Sequence, residues 1–286
     1  KLLNPKLLNP KLFHPKPFPI FALVMQERHA NREQYFKEQI YTTEKYVIPF
    51  VREIRPVDQS IDVLEIGCGE GGNLMPFLDM GCKRVVGVDL SATKIENAKT
   101  YFVDHARKNE IELIAADIYD TNELGKFDLV FTRDVIEHIH NQDRFFEVLK
   151  QYLKPGGHFF AAFPPWYMPY GGHQQICRNK FVSKLPYFHI LPVFLYKGIL
   201  KMFGENAATI ESLLEIKETG ISIDRLERIL NKRGYQIDKR VRYFINPNYE
   251  AKFKMKPRVI WGFIGAIPFV RNFWVTAGWY LVSVKN

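Results

Sequence analysis

A glycine-rich turn and one aspartate are the first residues whose spacing could do chemistry. Residues 67–72 read GCGEGG directly after the apolar run VLEI, and Asp89 follows Gly69 by 20 residues. Glycines let a backbone turn tightly and approach a ligand closely, and the next helix N-terminus offers free N–H groups. A carboxylate at this spacing can accept hydrogen bonds from two ribose hydroxyls. The pair predicts a nucleoside ligand rather than an ordinary turn and a surface acid.

A second candidate group lies in the segment DVIEH, residues 134–138. If this segment begins a helix, Asp134, Glu137 and His138 stand at i, i+3 and i+4 and share one face. Two carboxylates and an imidazole could then bind a divalent metal ion or supply a base. We favour the simpler alternative that Glu137 and His138 shape a pocket floor. No metal is therefore predicted, and His138 is kept as a catalytic candidate.

A third candidate is the segment FPPWYMPYGGHQ, residues 163–174. Its three prolines and two glycines predict a stiff, non-helical loop. We expect His173 to act as a base or to orient the substrate, with Trp166 and Tyr170 in contact with the substrate. The alternative for His173 is an ordinary hydrogen-bonding role.

These candidates all follow predicted strands. Short apolar runs alternate with helical patterns over residues 62–163, which predicts right-handed crossovers and a parallel sheet that binds its ligand at the carboxyl ends of the strands. Predicted strands cover residues 62–66, 84–89, 111–115, 127–132, 158–163, 235–244 and 273–284, and predicted helices cover 27–54, 73–80, 92–109, 142–153 and 221–232. The expected fold is α/β: a doubly wound, Rossmann-like, seven-stranded and mostly parallel sheet with an antiparallel last strand.

The chain is predicted to hold one large domain behind an N-terminal arm. Residues 1–26 begin with a five-residue repeat that ends in proline, which favours an extended arm; a disordered leader without function is the alternative. Residues 27–286 form the domain, with a helical insert or lid at about 166–222. A cap segment at about 245–272 is expected to lie across the top of the sheet.

Five ordered segments resemble the successive motifs of class I S-adenosylmethionine (SAM)-dependent methyltransferases. The segments are VLEIGCGEGG (63–72), VVGVDLS (85–91), ADI (116–118), FDLVFTRDVIEHI (127–139) and LKPGG (153–157). The resemblance covers roughly residues 35–165 and is greatest to the group that includes ubiquinone-pathway methyltransferases. It implies a transferase that catalyses methylation with SAM as its cofactor.

The resemblance also implies a cofactor-binding set. The set is Glu65, Gly67, Cys68, Gly69, Gly71, Asp89, Leu90, Asp117, Ile118, Thr132 and Arg133. Glu65 and the glycine turn would line the cationic methionine part of SAM. Thr132 and Arg133 would offer backbone groups to the same part, and Asp89 would hold the ribose. Leu90 and Ile118 would enclose the adenine while Asp117 accepts from its amine; core packing and turn capping are the alternatives. In some relatives an acidic-x-x-Glu-His cluster binds metal, and here Asp134 replaces the first glutamate.

The acceptor is constrained by charge and by the double proline. The net charge is +9, and basic and apolar residues lie together in residues 180–203 and 252–270. This favours a small or lipid-linked acceptor that is methylated more readily at oxygen than at nitrogen, and it leaves peripheral membrane contact open. The preferred alternative for these residues is a lid packed on the domain, which is compatible with such contact. Methyltransferases of DNA bases carry Pro-Pro-aromatic after strand four, whereas here it follows strand five, so a nucleic-acid partner is not expected.

Two rival functions remain at this point. An NAD-dependent oxidoreductase would share the glycine turn, but a carboxylate at Glu65 would face a pyrophosphate unfavourably. A non-catalytic module on the same fold, binding membrane or nucleic acid, would not need Asp89. Three cysteines without paired spacing predict a cytoplasmic protein, with contact at the inner face of the membrane left open.

Overall fold

The computed structural model describes residues 32–285, which build on an eight-stranded sheet; the predicted arm at residues 1–26 lies outside them. The strands are β1 (Asp62–Ile66), β2 (Arg84–Asp89), β3 (Ile111–Ala115), β4 (Phe127–Arg133), β5 (Leu153–Phe163), β6 (Tyr235–Ile245), β7 (Arg258–Val259) and β8 (Ala277–Val284). Their order is β3-β2-β1-β4-β5-β8-β6-β7. The first five strands pair in parallel, and β8 pairs antiparallel with β5 and β6. The predicted fold class is confirmed, with β7 as an eighth strand too short to leave an alternating pattern.

Short helices surround the sheet. They are α1 (Arg32–Thr42), α2 (Ile48–Arg52), α3 (Met75–Asp79), α4 (Ala92–Phe102), α5 (Gln142–Leu149), α6 (Val193–Met202), α7 (Ala207–Thr219), α8 (Ile223–Lys232), α9 (Asn248–Phe253), α10 (Gly262–Ala266) and α11 (Arg271–Trp274). A π-helical turn, Thr43–Val47, joins α1 to α2. The Ser91 hydroxyl accepts the Lys94 N–H and caps α4. Among residues 32–285, no helix has both the length and the apolar character needed to cross a bilayer.

Alternating side chains of the central strands build one apolar core on each face of the sheet. In β1, Leu64 and Ile66 join one core while Val63 joins the other. In β8, Tyr280 belongs to the first core and Trp279 to the second. This two-residue period is what a strand buried on both faces requires. The resulting rigid sheet holds the loops at its carboxyl edge in fixed positions.

Within the predicted insert, residues 177–214 build a small apolar core of their own. Short 3₁₀ turns lead into α6 and α7, and the apolar cluster between them is centred on Tyr196, Leu200 and Leu213, all fully buried. The side chain of Asn206 caps α7 by accepting the Thr209 N–H. This core is separate from the two cores on the faces of the sheet.

Candidate active site

A cavity of about 880 Å³ opens at the carboxyl ends of β1 to β4. It is lined by eight of the eleven residues expected at the cofactor: Gly67, Cys68, Gly69, Asp89, Leu90, Asp117, Ile118 and Arg133. Cavities of this size hold ligands as large as a nucleoside derivative. The sheet topology therefore places the sequence motifs around one common space.

The three predicted glycines of the turn serve different purposes. All have positive φ, which L side chains rarely adopt. A Cβ added at Gly67 would lie 2.5 Å from a methyl carbon of Val135, and one at Gly71 would lie 2.9 Å from the Phe102 ring. A Cβ added at Gly69 would meet no atom of the described residues within 4 Å. Gly67 and Gly71 thus permit close packing, whereas Gly69 faces the space that a ligand would fill.

Asp89 holds the turn from the neighbouring strand. One carboxylate oxygen accepts the Gly69 N–H at 2.8 Å, and the other accepts the Ser91 N–H at 2.9 Å. These bonds fix the side chain at the cavity wall, and each oxygen keeps a lone pair for a ribose hydroxyl. The geometry is compatible with the predicted ribose contact and also shows a structural role for this carboxylate.

The side of the cavity where adenine is predicted to bind is apolar and partly open. Leu90 is 75% exposed on the rim, while Ile118 is buried below it. An exposed leucine beside a cavity offers a flat apolar surface to a ring. Asp117 lines the same wall and also caps a short turn, because one of its oxygens accepts the Tyr119 N–H at 3.0 Å. The binding and capping interpretations of Asp117 are therefore compatible.

The other three predicted cofactor residues, Glu65, Gly71 and Thr132, lie behind the cavity wall rather than on it. One Glu65 oxygen accepts the Asn73 side-chain N–H at 2.6 Å, and the other has no hydrogen-bond partner among residues 32–285. Burial raises the pKa of Glu65 well above its usual range, although Asn73 and Arg133 oppose the shift. A buried carboxylate oxygen left without a donor favours a nearby cationic ligand, which fits the methionine ammonium and sulfonium of SAM.

Arg133 and two asparagines that the sequence did not reveal connect this carboxylate to the rest of the site. Arg133 donates to the side-chain oxygen of Asn73, to the Thr43 hydroxyl at 3.0 Å, and to Asn248 at 2.5 Å. The sequence prediction used only the backbone of Arg133. Asn73 follows the glycine turn, where a polar residue in an otherwise apolar helix start was the available signal. Nothing near Asn248 in sequence points to the site.

The predicted helix start at Asp134 is wrong. Asp134 has a φ of 54°, in the left-handed region, and only a short 3₁₀ turn, Ile136–His138, follows it. Asp134 lies directly after β4, and its carboxylate accepts from Asn248 at 3.5 Å. The i, i+3, i+4 face therefore does not form, because an aspartate tolerates the left-handed backbone that a tight strand exit requires.

The structure instead brings together Glu137, His138 and His173. Their ligand-type oxygen and nitrogen atoms all lie within 4.8 Å of one another, and the two imidazole rings meet edge to face with centroids 5.2 Å apart. His138 lines the cavity, and His173 comes from the loop after β5. His173 has a φ of 54°, a strained backbone of the kind found at functional sites. This histidine pair with a buried acid could move a proton or hold a divalent cation.

The electrostatics of Glu137 and His138 favour the neutral forms of these two groups. Desolvation at the cavity wall lowers the pKa of His138 although the residue is exposed, and the nearby Asp134 charge opposes this effect. Burial also raises the pKa of Glu137 well above its usual range, and Asp134 adds to the shift. Both carboxyl oxygens of Glu137 are buried without a hydrogen-bond partner in the described part of the chain. A neutral imidazole at the cavity wall is ready to accept a proton.

Trp166 and Tyr170 are turned into the insert rather than towards the cavity. The Trp166 ring packs against His189, with centroids 4.6 Å apart. Tyr170 is 6% exposed, and its hydroxyl donates to the Lys184 carbonyl at 3.1 Å. Neither residue lines the cavity in this conformation. Their predicted contact with a substrate would require the insert to move, and it stays a prediction.

Comparison with known proteins places this site in a family. A family model described as a methyltransferase domain matches residues 64–161. The ubiquinone biosynthesis O-methyltransferase of Bartonella tribocorum is 30% identical over 201 residues, which are 67% of this chain and 76% of that protein. The enzyme of the same name from Chelativorans sp. is 35% identical over 105 residues, which are 36% of this chain and 40% of that protein.

Other relatives and a solved structure are also similar to this chain. The chain matches under half the length of several relatives, such as 48% of an uncharacterized protein from Rickettsia prowazekii and 49% of the Brucella ovis ubiquinone biosynthesis O-methyltransferase. The structure of PKMT2 from Rickettsia typhi in complex with AdoHcy has a TM-score of 0.53 at 20% identity, covering 85% of this chain and 54% of that one. This likeness concerns the fold. Taken with the motifs and the cavity that they line, these similarities show that the chain belongs to the class I SAM-dependent methyltransferases and uses SAM as its cofactor.

Proposed function

We propose that the protein methylates a hydroxyl oxygen of a small or lipid-linked acceptor, with His138 and His173 handling the hydroxyl proton. The observation that carries this proposal is the pair of imidazoles beside the cofactor cavity, 5.2 Å apart and backed by Glu137. The relatives from Bartonella and Chelativorans are named ubiquinone biosynthesis O-methyltransferases. Their names support a ring hydroxyl of a ubiquinone-type molecule as the acceptor class.

The chemistry of oxygen methylation requires a proton acceptor. Bound SAM supplies a methyl group on a sulfonium that is already activated for in-line displacement. A hydroxyl oxygen that gains this methyl group must release its proton, and an amine acceptor has less need of a base. His138 lines the cavity, and desolvation there lowers its pKa, so its neutral imidazole can take that proton at a ring nitrogen. The site therefore suits an oxygen acceptor better than a nitrogen acceptor.

His173 and Glu137 would prepare the base. The edge-to-face contact between the rings limits rotation of the His138 imidazole, and Glu137 lies on the buried side of the cluster. With its raised pKa, Glu137 holds its own proton and can donate a hydrogen bond to an imidazole nitrogen. We infer that His138 is the proton acceptor and that His173, carried by the insert, orients it or contacts the acceptor.

A lipid-linked acceptor would also require the protein to reach a bilayer. The apolar and basic residues of 180–203 and 252–270 support such a peripheral contact. Movement of residues 166–222 would admit the acceptor and then exclude water from the reacting atoms. Trp166 and Tyr170 belong to this insert and would reach the acceptor when it moves.

The direct test replaces each histidine and measures methyl transfer from labelled SAM to a catechol-type acceptor. His173→Ala should reduce turnover by about a hundredfold or more, as loss of a general base does, while calorimetric SAM affinity changes little. His138→Ala should behave similarly. His105→Ala is the matched control, because His105 pairs with Asp79 on the surface, away from the cavity. Normal turnover in both cluster variants would refute the proposed role.

The same assay separates the base from a metal centre. If the cluster acts as a base, prolonged treatment with a chelator leaves turnover unchanged. If Glu137, His138 and His173 bind a divalent cation, chelation abolishes turnover, and added Zn²⁺ or Mg²⁺ restores it. Glu137→Gln distinguishes the two again, because glutamine can still donate a hydrogen bond but cannot supply a charged ligand.

A further inference from the structure

We propose that the segment from residue 254 to residue 274 docks the protein on an anionic phospholipid bilayer. Six of its exposed apolar side chains, here called the docking face, are Trp261, Phe263, Ile267, Phe269, Val270 and Trp274. Trp261 is 71% exposed and Phe263 is 69% exposed, and their rings stack with centroids 5.9 Å apart. Contiguous exposed apolar patches mark interaction surfaces, and tryptophan favours the boundary between lipid and water.

The docking face is displayed on a rigid support. Arg271 is buried and donates to Asp224 at 2.6 Å and to Glu227 at 2.9 Å. The fully buried Asn272 donates to Asp224 at 2.5 Å and accepts the Ile223 N–H at 2.8 Å. Both residues are thus anchored to the first turns of α8. The apolar side chains around them remain outside although the backbone is firmly attached.

Two further bonds fix the tip of the segment. Arg242 of β6 donates to the Gly265 carbonyl at 2.8 Å, and the Phe269 N–H donates to Asp224 at 3.2 Å. Phe269 itself has a φ of 64°, an unusual conformation for a bulky residue. The five residues 266–270 are all exposed, and none has a polar side chain. A loosely folded loop would bury these side chains by collapse, and the anchors prevent it.

Charge identifies the occupant. The sequence from residue 251 to residue 286 contains no aspartate or glutamate. Lys254, Lys256 and Arg258 are exposed immediately before the docking face. The aromatic side chains alone would be enough to bind an apolar surface of a protein partner. The basic residues next to them match the negative surface of a bilayer. We therefore assign the face to anionic lipid rather than to a second copy of the chain.

The docking face also touches the loop that carries the candidate base. The Tyr167 ring lies 5.3 Å from both Phe269 and Phe273, and the Tyr187 hydroxyl donates to the Phe273 carbonyl at 3.2 Å. Tyr167 precedes His173 by six residues on the same loop. The inference deepens the proposed function, on which it rests for the lipid-linked acceptor, because docking here would bring a membrane-borne molecule beside the insert.

The test uses the full chain and measures binding to vesicles without turnover. Flotation with vesicles of phosphatidylcholine plus phosphatidylglycerol should show binding that weakens as salt is raised, and vesicles of phosphatidylcholine alone should bind much less. W261A/F263A should weaken binding to the anionic vesicles by at least tenfold. K254Q/K256Q/R258Q should weaken it by about a hundredfold, since each basic side chain contributes about a fivefold effect.

Matched controls change exposed residues outside the docking face. Ile54→Ala and Val103→Ala remove exposed apolar side chains elsewhere, and K83Q/K99Q/K108Q removes three exposed charges elsewhere. These variants should bind vesicles nearly as well as the parent chain, apart from a small effect of net charge. Trp261→Phe should bind normally but lose part of the tryptophan quenching by brominated lipid, which places that ring in the bilayer. Melting temperature and SAM affinity establish that each variant is folded.

Two outcomes would overturn the inference. The parent chain could fail to bind anionic vesicles at low salt, or the docking-face variants could bind as well as the controls. If W261A/F263A instead dissociates an oligomer in sedimentation without changing vesicle binding, a second copy covers the face and the inference is wrong. Because no methyl transfer is measured, an error in the acceptor class leaves this test intact.

Discussion

Replacement of Gly69 by alanine isolates the ligand-facing glycine from the packing glycines. The added Cβ would meet no described atom within 4 Å, so only the left-handed backbone, with a φ of 56°, opposes it in the free protein. That strain costs about 1 kcal/mol of folding free energy. The methyl group would also stand in the space of the bound cofactor, and forced overpacking costs about 1–3 kcal/mol. We expect the Kd for SAM to rise by about 5- to 150-fold.

Gly156→Ala provides the matched control for this prediction. Gly156 is exposed in β5, has a φ of 71°, and an added Cβ would likewise meet no described atom within 4 Å. The two variants should lose similar amounts of unfolding free energy in urea, while calorimetry with SAM should detect the affinity loss only in Gly69→Ala. Equal SAM affinity in the two variants would refute the placement of the ligand at Gly69.

Two further predictions concern Asp89 and His189. Asp89→Asn replaces one acceptor oxygen by an N–H donor opposite a backbone N–H, so the Kd for SAM should rise by about 10- to 100-fold in calorimetry. Asp104→Asn, at an exposed position, is the control for this variant. An unchanged Kd in Asp89→Asn would exclude Asp89 from the site. Burial lowers the pKa of His189 to about 4, so the unfolded chain binds an extra proton between pH 6.5 and pH 4 and stability falls as the pH falls. His189→Gln should remove about 3 kcal/mol of that pH dependence in urea unfolding, and an identical pH profile would contradict the buried neutral imidazole.

The motifs predicted the cofactor side of the molecule because their physics is local. A glycine turn needs positive φ, a strand buried on both faces needs a two-residue period, and Asp89 must end the strand beside the turn. Each of these requirements produces a pattern that can be recognised within one short segment of the sequence. The cavity consequently has Gly67, Gly69 and Asp89 on its wall, while Gly71 lies behind it. The helix boundaries were less accurate, since α4 ends at Phe102 where a side-chain pattern continues to residue 109.

The surroundings of the loop after β5 were harder to predict because their contacts join distant parts of the chain. Gly172 and Gly220 were unremarkable in sequence, yet a Cβ at Gly172 would lie 2.1 Å from His189 and one at Gly220 would lie 2.4 Å from the Trp166 ring. These close approaches turn Trp166 inward. Asp134 was placed on a helix because its neighbours have helical spacing, and nothing in that spacing signals a left-handed residue. The contact between His138 and His173 was not predicted, because the two residues follow different strands that become neighbours only in the folded sheet.

Arg133 links the cofactor cavity to helix α9 through the polar contacts of its guanidinium. It lines the cofactor cavity and donates to Asn73, which in turn donates to Glu65, and its other nitrogen donates to Asn248 of α9. Helix α9 begins the segment that ends in the docking face. A cationic cofactor near Glu65 would change the balance of charge around Arg133, whose position also depends on Asn248. Cofactor binding and the seating of the C-terminal segment should therefore influence each other, because both use the same buried guanidinium.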